Sequence, residues 1–177
     1  MRLGRALAIV TASYVVGILA GIVHPWMRLI SLLTSGVGDI WSMGPLAVAL
    51  FIFIHNTLAA IVIYAASMVY IGLLGIAFNG YVLAVAARYA LHVRHFTVPQ
   101  LLAALLPHGV VEVPALLLAS AAGLVTFWDV RRRGLRAGGR GARLLVLSIL
   151  LLFIAAFIEA FVTPEVARAL GAPVPGV

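Results

Sequence analysis

The sequence predicts an all-α protein: a polytopic membrane helix bundle of about five transmembrane helices, with a surface amphipathic helix and one broken helix. Three observations carry this. The 177 residues are 64% hydrophobic and only 10% charged, with a mean hydropathy of +1.19, whereas soluble domains are nearer half apolar and a quarter charged. The apolar residues fall in runs long enough to cross a bilayer, which takes about 20 residues. The arginines gather at the ends of those runs, where they orient a chain in a membrane.

Residues 6–23 form the first span. Arg2 and Arg5 precede it as in a signal peptide, but the run is longer than such a peptide's apolar core and further spans follow. It is therefore read as a retained helix or signal anchor. Residues 24–44 come next. Here Trp26, Leu29, Ile30, Leu33, Val37, Ile40 and Trp41 repeat at helical spacing, with Arg28, Ser31, Ser35 and Asp39 between them. That pattern predicts one or two short helices lying on the membrane, broken near Gly36 and Gly38. Residues 46–64 and 68–87 are the second and third spans. The fourth, 101–128, is interrupted by polar residues. A Gly- and Arg-rich loop at 129–142 leads to the fifth span, 143–162. The tail 171–177 is too short and Pro-rich to fold. No internal repeat divides the chain, so 1–177 is a single transmembrane domain.

All twelve basic residues are arginine, and against five acids they give a net charge of +7. Their placement at span ends points to lipid rather than nucleic acid as the partner. With five spans, Arg2, Arg5, Arg131, Arg132, Arg133, Arg136, Arg140 and Arg143 share one side. Arg28, Arg88, Arg94 and Arg168 share the other. Eight against four predicts a multi-pass cell-membrane protein with a cytoplasmic N-terminus and an outside C-terminus. Arg131, Arg132, Arg133 and Arg136 are candidate contacts for anionic lipid or for an acidic partner. The chain has no cysteine, which excludes disulfides, thiol catalysis and thiolate-bound metals.

The octapeptide Pro107-His-Gly-Val-Val-Glu-Val-Pro114 lies inside an apolar run. An ionised carboxylate at membrane depth is unfavourable unless paired or neutralised. His108 and Glu112 are four residues apart and share a face if helical. Pro107 and Gly109, with Pro114 beyond, predict that the helix breaks or begins there. Counting about 1.5 Å per residue, Asn79, His108, Glu112 and Glu159 fall in the outer half of three different spans. Asn56 and its neighbour His55 lie near the midplane. These six residues are expected to form one intramembrane polar cluster. Structural satisfaction of the broken backbone and an ion or proton role both remain open for it. His108, Glu112 and Glu159, with His55, have ligand chemistry, but one His-x-x-x-Glu pair is a weak motif. No metal and no cofactor are expected. No phosphate loop, nucleophile elbow or intramembrane protease signature is present, so no enzymatic activity is expected. Gly72, Gly75 and the run Ala119–Gly123 permit close helix packing and allow a homo-oligomer.

Four ordered pieces carry a family resemblance. They are Phe51-Ile-Phe-Ile-His-Asn56, Gly72-Leu-Leu-Gly-Ile-Ala-Phe-Asn79-Gly80, Leu106-Pro-His-Gly-Val-Val-Glu112-Val-Pro-Ala and Ala155-Ala-Phe-Ile-Glu159-Ala-Phe-Val-Thr-Pro164. In these the chain resembles the stage II sporulation protein M family of integral membrane proteins. It departs at His55, where many members carry a second asparagine. The resemblance implies a five- or six-helix membrane protein with no enzymatic activity of its own. It also implies a scaffold or assembly partner in a membrane or envelope-remodelling complex, alongside other envelope proteins. Namesake members hold peptidoglycan-remodelling hydrolases at the septal membrane, and that sporulation role does not transfer to this chain. What transfers is the His–Glu–Asn cluster as a common core. The rival expectation is a small transporter or channel that passes cations or protons through the same cluster.

Overall fold

The computed structural model describes residues 1–34, 43–134 and 139–172. Every regular element among them is helical: α1 (Leu3–Val23), α2 (Arg28–Thr34), α3 (Pro45–Ser67), α4 (Gly72–His92), α5 (Val98–Arg133), α6 (Gly139–Phe157) and α7 (Thr163–Ala169). A π-helical turn, Ile158–Val162, joins α6 to α7. Five helices are long and apolar enough to cross a membrane: α1, α3, α4, α5 and the continuous α6–α7 unit.

The ends of these helices sort into two layers. Arg2, Arg5, Arg131, Arg132, Arg133, Arg140 and Arg143 lie at the end that also holds the α3–α4 turn and the α5–α6 connection. At this basic end the N-terminal ammonium lies 3.8 Å from Asp129. Arg28, Arg88, Arg94 and Arg168 lie at the other end. There Tyr81 Oη donates to the His24 carbonyl and Arg88 to the Ile22 carbonyl. Gln100 Nε2 donates to the carbonyls of Leu170 and Gly171, tying the end of α7 to the start of α5.

Apolar attraction between helices is weak in lipid, so close backbone approach has to supply the contact. α1 and α4 run parallel. A Cβ on Gly17 would collide with the Ala77 carbonyl, one on Gly21 would meet Tyr81 and Ala84, and one on Gly80 would strike the Tyr14 carbonyl. Gly17-x-x-x-Gly21 is thus a small-residue interface motif, in addition to the Gly72, Gly75 and Ala119–Gly123 positions expected to pack closely. Gly72 seats on Ile63 and Ser67 of α3, Gly123 on the Tyr64 carbonyl, and Gly141 on Ala122 and Thr126. Four oxygen contacts reinforce this half: Ser67 with Ser120 at 2.9 Å, Tyr64 with Thr126 at 2.9 Å, Thr126 to the Ala122 carbonyl and Ser148 to the Ala115 carbonyl. Residues Ala119 through Thr126 of α5 are all buried.

Three expectations are corrected. First, the fourth span is one continuous helix of 36 residues and does not break at Pro107–Gly109. At 1.5 Å per residue it is about 54 Å long, well beyond the hydrocarbon thickness. Its start is set nine residues before Pro107, by a capping box in which Thr97 Oγ1 accepts from the Gln100 N–H and the Gln100 side chain accepts from the Thr97 N–H. Pro107 and Pro114 each remove one helical donor, but a broken helix in lipid would strand many more backbone groups. Second, the irregular helix is the fifth span, at the π turn. Pro164 lacks an N–H and its ring would clash with the carbonyl four residues back. A wider turn at Ile158–Val162 relieves the clash. Third, the 129–142 loop is short, because α5 runs to Arg133 and α6 starts at Gly139. Of the interfacial segment, α2 is helical, with Leu29 and Ile30 buried and Trp26 exposed. Its expected continuation through Gly36, Val37, Gly38, Ile40 and Trp41 lies outside the described residues, as do Arg136 and 173–177.

Gly17→Val should destabilise the bundle by about 1–3 kcal/mol, because the α1–α4 contact is backbone to backbone. Gly109, where an added Cβ meets nothing within 4 Å, should behave oppositely, and Gly109→Ala should stabilise by about 0.5–1 kcal/mol. Thermal unfolding of both variants in detergent micelles, followed by circular dichroism, measures the two effects.

Candidate functional site

The close packing of the basic half does not continue into the other half. Beyond Tyr14, Asn56, Asn79 and Leu116 the helices enclose a cavity of about 660 Å³. Leu102, Ala86 and Phe51 line its far part. Val110 lines it and is also 62% exposed, so the cavity opens onto the protein surface. Most of its wall is apolar side chain.

His55, Asn56, Asn79, His108, Glu112 and Glu159 all line this one cavity. They come from α3, α4, α5 and the π turn, and their meeting follows from local geometry. α5 presents His108 and Glu112 one turn apart on the same face. α3 runs parallel to α5 and brings Asn56 level with Glu112, so that Asn56 Nδ2 donates to Glu112 Oε1 at 3.1 Å. The π turn carries Glu159 in from the opposite side. Ligand atoms of His108, Glu112 and Glu159 lie within 4.8 Å of one another.

The His108 ring is held by Thr163. Thr163 Oγ1 donates to the Ile158 carbonyl at 3.3 Å and lies 3.2 Å from His108 Nδ1. A hydroxyl has one proton, so with Thr163 donating to Ile158, Nδ1 is the donor in the contact with His108. The neutral ring then carries its lone pair on Nε2. Among the described residues, Glu159 and Asn79 have no side-chain hydrogen bond, and neither Glu112 nor Glu159 is paired with an arginine.

The six residues are not equivalent. His55 is exposed and stacks on Phe51 with ring centroids 6.2 Å apart, so it sits at the rim rather than with the triad. Asn79 lines the wall from α4. Of the residues expected to break the helix, Gly109 lines the cavity, while Pro107 and Pro114 lie within α5 outside its lining. Arg131, Arg132 and Arg133 are at the opposite, basic end. Arg131 lies 6.0 Å from the Phe127 ring and Arg132 5.2 Å from that of Trp128.

Two site residues were not anticipated. Thr163 orients His108, and its Thr-Pro pair is also the local signal for the irregular turn. Tyr14 is only 7% exposed, lines the cavity from α1, and its hydroxyl has no partner among the described residues. A tyrosine inside an apolar run carries little signal in a sequence, since its ring packs as well as phenylalanine does.

The Asn56–Glu112 hydrogen bond should couple α3 to α5. A double-mutant cycle with Asn56→Ala and Glu112→Ala should return a coupling of about 0.6–1.7 kcal/mol, read from unfolding in micelles. A coupling near zero would show that the two side chains act independently.

The family model for stage II sporulation protein M matches residues 7–164. No curated protein and no solved structure matched the chain. The matched stretch runs from α1 to the first turn of α7 and contains every polar residue of the cavity wall. The chain belongs to the stage II sporulation protein M family.

Proposed function

We propose that this chain is a non-enzymatic assembly partner or scaffold in a membrane or envelope-remodelling complex. One observation carries this reading: the cavity is one-sided. Its polar wall is reached from the surface in one half of the bundle, while the basic half is filled by glycine-to-backbone contacts and buried Ala119–Thr126. Family membership supports a membrane protein of this type, and the described cavity residues include no serine, cysteine or lysine nucleophile. The expected partners are lipids and other membrane or envelope proteins, with a second copy of the chain as a further candidate. Arg131, Arg132 and Arg133, exposed at the end of α5, suit anionic headgroups.

The second reading is transport of a cation or of protons. It is favoured by a specific observation: the cluster is not fully satisfied, because Glu159 is unbonded and a 660 Å³ cavity opens beside it. Flux separates the two. In liposomes holding a pH-sensitive dye, the assembly reading expects wild type and Glu112→Gln to leak protons and monovalent cations at the same low rate. A wild-type flux abolished in Glu112→Gln would overturn that reading in favour of transport.

The arginine distribution supports a cytoplasmic basic end, with the N-terminus inside and the C-terminus outside. The cysteine-free sequence makes this directly testable. Arg94→Cys should react with a membrane-impermeant maleimide in intact cells, and Gly139→Cys only after permeabilisation. The reverse pattern would invert the topology.

A further inference from the structure

We propose that His108, Glu112 and Glu159 form a binding site for one divalent transition-metal ion, such as Zn²⁺ or Mn²⁺, in the outer part of the bundle. The sequence offers these residues as possible ligands, but one His-x-x-x-Glu pair is a weak motif and predicts no metal. The fold supplies what spacing did not.

The donor set is one imidazole nitrogen and two carboxylates, a combination suited to zinc, manganese or ferrous iron. The three ligand atoms lie within 4.8 Å of one another. Ligands on one tetrahedral ion at about 2.1 Å sit about 3.4 Å apart. The difference is small, and Glu159, which holds no hydrogen bond among the described residues, is free to rotate inward.

Two of the three ligands are oriented by a second residue, as metal ligands usually are. Thr163 Oγ1 lies 3.2 Å from His108 Nδ1 and donates to Ile158, so it can accept a hydrogen bond from Nδ1–H and leave the Nε2 lone pair for the metal. Asn56 holds one oxygen of Glu112 and leaves the other available. Charge also balances. Two carboxylates and a neutral imidazole carry −2, the cavity lining contains no arginine, and a divalent cation would make the site neutral at membrane depth.

Tyr14 is the independent observation. Its hydroxyl is buried, faces no partner among the described residues, and belongs to the wall of the same cavity. A water or hydroxide on the ion would supply that partner. The cavity leaves space for such an exchangeable ligand, so the site has three protein ligands and at least one open position.

This inference does not rest on the assembly reading, because it is tested on the isolated chain. The untagged full-length protein, stripped with EDTA and held in micelles, is titrated with Zn²⁺ by calorimetry and with Mn²⁺ by pulsed electron paramagnetic resonance. The expected result is one ion per chain, with a nitrogen coupling from imidazole. Glu159→Gln should weaken binding at least ten-fold. His108→Ala should remove the nitrogen coupling. Thr163→Val, which touches only the orienting partner, should weaken binding about ten-fold. His92→Ala with His95→Ala, at the surface, should change nothing. If His108→Ala fails to fold, the nitrogen coupling of wild type and its weakened binding in Glu159→Gln decide the matter. Stoichiometric binding that survives in Glu159→Gln overturns the proposal, as does the absence of binding by folded wild type below about 1 mM, roughly 4 kcal/mol.

Discussion

Every part of this structure answers to the absence of water in the hydrocarbon layer. Backbone groups there must bond within the protein, and side-chain polar groups must find each other. α5 meets the first demand by remaining helical for 36 residues through two prolines. It meets the second by collecting the polar groups of its neighbours along its own length: Gln100 to the end of α7, His108 to Thr163, Glu112 to Asn56, Ser120 to Ser67 and Thr126 to Tyr64. The other helices are staves around this post. Because lipid gives helices little reason to associate, small residues do the joining, glycines of α1 and α4 in one seam and small residues of α5 in another, and dispersion contacts accumulate where backbones come close.

The same post has two characters. From Ala115 to Thr126 most of its residues are buried, and glycines and alanines let neighbours close on it from several sides. From Leu102 to Val113 only Ala103 is buried, and much of the stretch lines the cavity. The boundary between tight and open packing falls near Glu112. A carboxyl group at that point gains the low-dielectric wall of the packed half and the access of the open half. That combination makes a site rather than a buried defect.

Much of this was legible in the sequence because membrane depth filters residue types so strongly. His108, Glu112, Glu159, Asn56 and Asn79 stand out among aliphatic neighbours, and spacing puts all but Asn56 at a similar depth; the packing of α3 on α5 is what brings Asn56 level with Glu112. The helix ends were less legible. Thr97 and Gln100 form a capping box, but Pro107 and Gly109 drew attention away from it, because both residues disfavour helix interiors in water. In lipid the alternative to a strained helix is an unsatisfied backbone, so the usual penalties lose. Tyr14 and Thr163 were hidden for another reason. Neither residue is costly in an apolar run, and each acquires its role only through a partner distant in the chain. His55 shows the converse: an ionisable residue at the right depth that faces the rim and stacks on Phe51. Depth along a helix was readable from spacing, whereas azimuth required the packing of four helices at once.

The parallel contact of α1 with α4 has a consequence for the life of the chain. Gly17 and Gly21 are seated on the backbone of α4, and between them and the N-terminus stands Tyr14, a wall of the cavity. In many exported proteins a leading greasy segment is clipped off once it has served as an address. Here such maturation would peel away one side of the chamber and bare the groove along α4 to acyl chains. A bundle without α1 would thus lose both a cavity wall and the seam in which backbone meets backbone most directly.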